Sequence, residues 1–179
     1  MKGIVFTEFL TYVSKKYDEN TVDDIIEASH LPSGGAYTTV GTYDHAELVS
    51  LCRTLSESKS ISNASILNEF GKHLGHTFYD GFRSFFDRCN DFFDFVESID
   101  EYIHKEVRKL YPDAQLPTFV VSERSADRMV LDYISPRHME DMALGLLEGT
   151  APYFDRNVKL VVEKTHPSAD GSRFIIEYC

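Results

Sequence analysis

His104 lies in a short segment whose flanking residues predict a helix. Ser98, followed three residues later by Glu101, has the pattern of a capping box at a helix start, and Pro112 predicts the helix end. Four apolar residues share one predicted face: Ile99, Ile103, Val107 and Leu110. His104 lies beside this face, where an imidazole can bind a metal or simply be satisfied by hydrogen bonds. Taken alone, the residue leaves both interpretations open.

A second group of polar residues follows about thirty positions later, at the end of a predicted strand. Tyr133, Ser135 and Arg137 alternate with other residues, so a strand places them on one side. A guanidinium binds carboxylate in bidentate fashion, and the phenol and hydroxyl can donate further hydrogen bonds. The group therefore suits a ligand with one or two carboxylates. Ordinary polarity at a strand end is the alternative, because a pattern with two free positions is weakly specific.

Together, the two groups indicate a haem site, which neither group indicates alone. An axial imidazole, anchors for two propionates and an apolar pocket are what such a site requires. The chain contains 13 Phe and 10 Tyr but no Trp, and aromatic side chains build apolar pocket walls as well as cores.

Apolar residues with a period of 3.6 predict helices before Pro117. The first predicted helix covers residues 2–17, and a second, short helix starts at Thr21. Asp44 caps the third, Ser62 opens the fourth, and the fifth runs continuously for four turns over 82–96. Alternating patterns then predict strands at 118–123, 128–135, 158–163 and 173–178, with a helix at 138–147. We expect an α+β fold in which a helical N-terminal half packs on a C-terminal half with a four-stranded antiparallel sheet.

Composition excludes several classes of function. A net charge of −11 opposes binding to nucleic acid and to anionic membranes. No apolar run is long enough to cross a bilayer, and no secretory leader is recognisable at the start. The three cysteines, Cys52, Cys89 and Cys179, are far apart and indicate reduced thiols. We therefore expect a cytoplasmic protein without nucleic-acid or membrane partners.

Three stretches of the chain resemble the H-NOX family, the haem domains that sense nitric oxide or dioxygen and are related to the sensor of soluble guanylate cyclase. They are the opening MKGIVF, the segment IHKEVRKLYP and the set Tyr133-Ile134-Ser135-Pro136-Arg137. The resemblance covers essentially the whole chain. It implies one haem-binding domain over 1–179, with a helical subdomain at about 1–60, a subdomain at about 61–179 that holds the ligand helix and the sheet, and haem between the two halves.

The resemblance also assigns the residues of the site. His104 matches the proximal ligand of the haem b iron, and Pro117 matches a proline that distorts the porphyrin. Tyr133, Ser135 and Arg137 match the residues that hold the propionates. The distal pocket positions fall on Val5, Phe9, Leu74, Phe78, Met142 and Leu146.

The distal positions are all apolar, which predicts ligand selectivity. Family members that bind dioxygen stably place a tyrosine at the position of Met142, whose hydroxyl donates to the bound oxygen. Nitric oxide needs that hydrogen bond far less, so the resemblance implies a nitric oxide sensor that can also bind carbon monoxide. Tyr79 or His73 would supply a donor if the register shifts by one. Met142 as a second axial ligand is an alternative, although methionine more often fills apolar gaps.

The resemblance implies a sensor without catalysis of its own. Nitric oxide breaks the iron–His104 bond, the haem relaxes against Pro117, and the signal passes in trans to a histidine kinase or a cyclic-di-GMP enzyme, because the chain ends after its last strand. A haem-free domain that binds a small carboxylate through Arg137, or acts as a scaffold, is the alternative function. A haem enzyme of peroxidase type lacks the distal acid–base residue that it needs.

The remaining histidines and cysteines have simpler interpretations. His73 and His76 form an i, i+3 pair without a suitably spaced third ligand, so we interpret them as solvent-facing. Predicted loops or helix starts contain the others: His30, His45, His138 and His166. Some H-NOX relatives have a cysteine-rich zinc or thiol-switch site in the C-terminal half, but only Cys179 lies in that half here.

Overall fold

A computed structural model of the chain describes residues 1–155, 157–163 and 168–179. The chain divides into two units, unit 1 at Met1–Phe70 and unit 2 at Gly71–Cys179. The search of the described residues finds no helix that is long and apolar enough to span a membrane.

Unit 1 is built from amphipathic helices. They are α1 (Gly3–Lys16), α2 (Glu19–Ser29), α3 (His45–Lys59) and the first part of α4 (Asn63–Gly81). Asp44 caps α3 as predicted, its carboxylate accepting from the Ala46 amide at 2.9 Å. The predicted start of α2 at Thr21 is wrong, because Asp18 caps this helix by accepting from the Thr21 amide at 2.7 Å.

Glu47 connects α3 to the loop that precedes it in unit 1. The sequence pairs Glu47 with Asp44 as a capping box, but in the structure its buried carboxylate accepts hydrogen bonds from the hydroxyls of Ser33 and Tyr37 instead. A buried carboxylate needs such donors, because an unpaired charge in a core is costly. The loop over 32–41, rich in glycine and without helix or strand, is thereby held against α3.

Unit 2 contains the antiparallel sheet. Its strands are β1 (Thr118–Arg124), β2 (Arg128–Ile134), β3 (Val158–Glu163) and β4 (Gly171–Tyr178), in the order β1-β2-β4-β3. Met129, Leu131 and Tyr133 alternate along β2 and are all buried, as predicted. The α+β class with a four-stranded antiparallel sheet is confirmed.

The predicted four-turn helix over 82–96 is wrong, because the chain breaks there into two short helices. These are α5 (Arg83–Phe86) and α6 (Phe92–Ser98), and Asp91 caps α6 by accepting from the Asp94 amide at 2.8 Å. The ring of Phe86 stacks on that of Phe95 with centroids 4.5 Å apart. Nine residues of straight helix would separate them by about 13.5 Å along the axis, so this contact requires the break.

Helix α8 (Glu140–Thr150) follows β2 in unit 2 and begins two residues later than predicted. His138 has a positive φ of 49°, and its amide donates to the Ser135 carbonyl across a turn at 3.3 Å. The helix therefore cannot begin at His138, because the left-handed region is not helical.

Candidate functional site

His104 is positioned by an irregular helix in unit 2. α6 continues without a cap into a π-helix at Ile99–Ile103, and α7 (His104–Leu110) follows. The predicted capping box is therefore wrong: Ser98 donates its hydroxyl to the Phe95 carbonyl at 2.7 Å within a continuing helix. The amide of His104 donates to the Ile99 carbonyl, which gives the five-residue spacing of a π-turn. Such turns occur frequently at functional sites. The helix ends before Pro112 as predicted.

The His104 side chain is buried and makes one hydrogen bond. Its Nδ1 lies 2.9 Å from Oδ1 of Asp100, and because a carboxylate accepts, Nδ1–H is the donor. Nε2 makes no hydrogen bond to any residue that the structure describes. Burial lowers the pKa of His104, against the opposing effect of Asp100. The neutral imidazole, which is the form that binds a metal, is therefore favoured, with Nε2 available.

Sequence analysis missed Asp100. The available signal was an acidic residue four positions before a histidine within one helical segment, a spacing at which side chains meet. Metal-bound histidines commonly donate a hydrogen bond from their second ring N–H to a carboxylate, so this spacing indicates a partner for His104.

The predicted polar residues at the end of β2 lie together in unit 2. Tyr133 and Ser135 are buried, and the Arg137 amide donates to the Ser135 hydroxyl at 3.3 Å. Burial raises the pKa of Tyr133, so its phenol remains a hydrogen-bond donor at neutral pH. The guanidinium of Arg137 donates to the backbone and side-chain oxygens of Gln115, at 2.6 and 3.1 Å. It forms no ion pair with any carboxylate of the described residues.

Two residues of β1 and its preceding loop connect these groups. Phe119, which sequence analysis missed, contacts both the His104 ring and the Tyr133 ring, with centroid distances of 5.9 and 5.3 Å. Pro117 is partly exposed and lies between Gln115, which Arg137 holds, and the start of β1. The structure thus brings His104, Tyr133 and the loop of Pro117 to one part of the sheet.

Four of the predicted distal residues lie on two helices that cross closely in unit 2. These are Leu74 and Phe78 on α4, and Met142 and Leu146 on α8. A Cβ at Gly71 would collide with the Met142 carbonyl, and one at Gly149 would lie 2.7 Å from the Lys72 carbonyl. Because glycine has no side chain, the backbones of α4 and α8 can come into contact at these positions. The glycines are visible in the sequence, but the partner helix of each is not.

The other two predicted distal residues lie in α1 of unit 1. Phe9 is fully buried, with its ring edge-on to that of Phe70 at 5.1 Å, and Val5 is partly exposed. Their assignment to a distal pocket stays a prediction.

Tyr79 and His76 belong to a different aromatic cluster of unit 2. The Tyr79 ring stacks on Tyr153 at 3.5 Å, its hydroxyl accepts from Arg83 at 2.6 Å, and His76 Nδ1 lies 2.7 Å from the Tyr153 hydroxyl. The described residues contain no group of three or more histidine, cysteine or acidic side chains able to hold a metal ion. His166 lies outside the described residues.

The chemistry of this set of donors fits haem. Unit 2 supplies a buried neutral imidazole whose Nε2 is available and a guanidinium without a carboxylate partner. Beside them stand a protonated phenol, a hydroxyl and the ring of Phe119. These match an axial ligand, partners for propionates and an apolar wall.

Comparisons with known proteins point in the same direction. The sequence profile of a family described as Haem-NO-binding matches residues 2–162. The chain is similar to the unliganded Fe(II) form of an H-NOX protein from K. algicida, with 37% identity, coverage of 100% of this chain and 97% of that chain, and a TM-score of 0.94. These findings confirm the predicted resemblance.

Two further solved structures show the same similarity in liganded forms. One is an H-NOX protein from S. oneidensis in the Fe(II)NO state, with 27% identity, coverage of 100% and 99%, and a TM-score of 0.91. The other is the IWP-051-bound H-NOX from Shewanella woodyi in the Fe(II)CO state, with 35% identity, coverage of 100% and 95%, and a TM-score of 0.84. A comparison with curated proteins finds no match.

Proposed function

Because this chain belongs to the Haem-NO-binding, or H-NOX, family of haem-based gas sensors, we propose that it is a haem sensor selective for nitric oxide over dioxygen. The observation that carries this proposal is the His104 side chain, buried and neutral, with Nδ1 engaged by Asp100 and Nε2 available. A histidine arranged in this way is suited to be the single axial ligand of an iron.

The residues of unit 2 have distinct roles in this proposal. His104 binds the iron of haem b through Nε2. Arg137 exchanges its hydrogen bonds to Gln115 for a propionate, and Tyr133 and Ser135 donate to the same group. Pro117 presses on the porphyrin. The haem, when bound, supplies the iron at which a diatomic gas binds.

Selectivity follows from the side chains proposed for the distal pocket. A haem that holds dioxygen stably would need a hydrogen-bond donor from the protein, whereas Met142 and the other proposed distal residues are apolar. Tyr79, which follows the proposed distal residue Phe78 in the sequence, stacks on Tyr153, and its hydroxyl accepts a hydrogen bond from Arg83. The S. oneidensis and S. woodyi relatives are known in nitric oxide and carbon monoxide states, which supports the same ligands here.

In the proposed signal, nitric oxide binding at the haem would release His104. This release would free α7 to shift and would relieve the contact of Pro117 with the porphyrin. The π-turn before His104 supports this step, because turns of this kind interrupt the regular helical hydrogen bonds and occur frequently at functional sites. The domain has no catalysis of its own and acts in trans in the cytoplasm, on a histidine kinase or a cyclic-di-GMP enzyme.

An absorption spectrum of the ferrous protein, recorded with and without nitric oxide, tests this proposal. We expect a Soret band with one axial histidine, a shift on addition of nitric oxide, and no persistent oxygen complex in air. A colourless protein that takes up no haem would overturn the proposal and favour a haem-free domain that binds a carboxylate through Arg137. A stable oxygen complex would refute the selectivity alone.

A further inference from the structure

Asp100 is the one described residue that hydrogen-bonds the His104 side chain, and in the proposed function it serves only to leave Nε2 available. We propose that Asp100 is a positioning residue that strengthens the bond between His104 and the haem iron and thereby sets how readily nitric oxide releases it. This inference rests on the proposed function, since it requires His104 to bind iron.

The geometry fixes which nitrogen faces the metal. Asp100 Oδ1 accepts from Nδ1–H at 2.9 Å, so the lone pair of the neutral ring is on Nε2. Asp100 precedes His104 by four residues and lies in the π-helix, so the two side chains are joined within one helical segment. The ring has little freedom to rotate, because Phe119 packs against it with centroids 5.9 Å apart.

The charge of Asp100 makes Nε2 a stronger electron donor. A carboxylate that accepts from Nδ1–H draws that proton partly away, and the ring gains imidazolate character. The side chains of His104 and Asp100 are 11% and 29% exposed, so water screens the pair only partly. A stronger donor would bind the haem iron more tightly, so nitric oxide would release His104 less readily.

Neighbouring Glu101 provides a matched control. It lies one residue from Asp100 in the same π-helix, is exposed, and lines the same surface cleft of about 430 Å³. Its replacement by glutamine removes the same charge from almost the same place without touching His104. An effect seen in Asp100→Asn but not in Glu101→Gln must therefore pass through the hydrogen bond.

The test compares the wild-type protein with Asp100→Asn, Asp100→Ala and Glu101→Gln, all loaded with haem. Resonance Raman spectra of the ferrous forms report the iron–histidine stretching band. Absorption spectra after addition of nitric oxide report the share of protein that retains His104 on the iron. Haem transfer to an acceptor protein reports affinity.

We expect Asp100→Asn to move the stretching band to lower frequency and to reduce the share of nitric oxide complex that keeps His104. Haem affinity should fall about tenfold, the lower end of what removing such a partner costs a metal site. Asp100→Ala should do at least as much, and Glu101→Gln should match the wild type. An unmoved band in both Asp100 variants, or an equal shift in Glu101→Gln, would overturn this inference while leaving the sensor intact. A wild-type protein that binds no haem would instead overturn the proposed function.

Discussion

Two groups of polar side chains, one in each unit, differ in how completely their hydrogen-bonding capacity is used. In unit 1 the buried Glu47 carboxylate is satisfied by hydrogen bonds, because the hydroxyls of Ser33 and Tyr37 both donate to it. In unit 2 His104 keeps Nε2 available, and the partly exposed Arg137 guanidinium has, among the described residues, only the neutral oxygens of Gln115 as partners. A satisfied buried group stabilises a fold, whereas one with unused capacity can take a ligand.

This difference distinguishes the structural role of Glu47 from the ligand-binding roles proposed for His104 and Arg137. Burying a polar group costs free energy unless it is hydrogen-bonded, and a bound ligand would supply the partner that Nε2 of His104 lacks among the described residues. The comparison predicts that changes at Glu47 in unit 1 alter stability and leave haem binding intact. Changes at His104 and Arg137 should do the reverse.

His104→Gly should have the largest effect on haem binding. The variant loses the axial ligand, so we expect haem affinity to fall by at least about 100-fold and the Soret band to shift. Added imidazole should restore much of the wild-type spectrum by filling the space with the same donor. Thermal melts of the haem-free proteins should be similar, and a variant that fails to fold would contradict the assignment of His104 as a functional residue.

Glu47→Ala should lower stability with little effect on haem. The hydroxyls of Ser33 and Tyr37 lose their acceptor, so we expect the free energy of unfolding to fall by about 2 kcal/mol in urea titrations. Exposed Glu57 lies on the same helix, and Glu57→Ala should change stability by no more than about 0.5 kcal/mol. Haem spectra of Glu47→Ala that differ from the wild type would break the distinction between the units.

The sequence predicted the strand end better than the ligand helix, for physical reasons. Alternation along β2 is local, so the side shared by Tyr133, Ser135 and Arg137 could be read directly. The helix before His104 depends on packing between distant residues. Phe86 belongs to the apolar residues whose helical period predicted one helix over 82–96, yet its ring stacks on Phe95, which lies outside that set, and the contact requires a break between them.

Other features depended on choices that the sequence leaves open. Ser98 and Glu101 fit a capping box, but a helix that continues from α6 has no free amides at Ser98 to cap. Glu47 also fitted a capping box, but its carboxylate accepts hydrogen bonds from the hydroxyls of Ser33 and Tyr37 in the preceding loop. The spacing of Asp100 from His104 predicts that their side chains meet, but it does not reveal that the pair lies in a π-turn.

Arg137→Ala should give a smaller effect than loss of His104, because it removes one of several contacts to a propionate. We expect haem to dissociate about tenfold faster, measured by transfer to an acceptor protein. Arg137→Lys should recover only part of the loss, because an ammonium cannot bind a carboxylate in bidentate fashion.

Arg173 supplies the matched control for Arg137. Its guanidinium lies in unit 2 as well, but it is already paired with Asp132, at 2.8 and 3.4 Å. Arg173→Ala therefore removes an equal charge without removing an available donor, and haem dissociation should stay at the wild-type rate. Equal acceleration by the two variants would mean that net positive charge, rather than the unpaired guanidinium of Arg137, holds the haem. The distinction between closed and available polar groups would then fail in unit 2 itself.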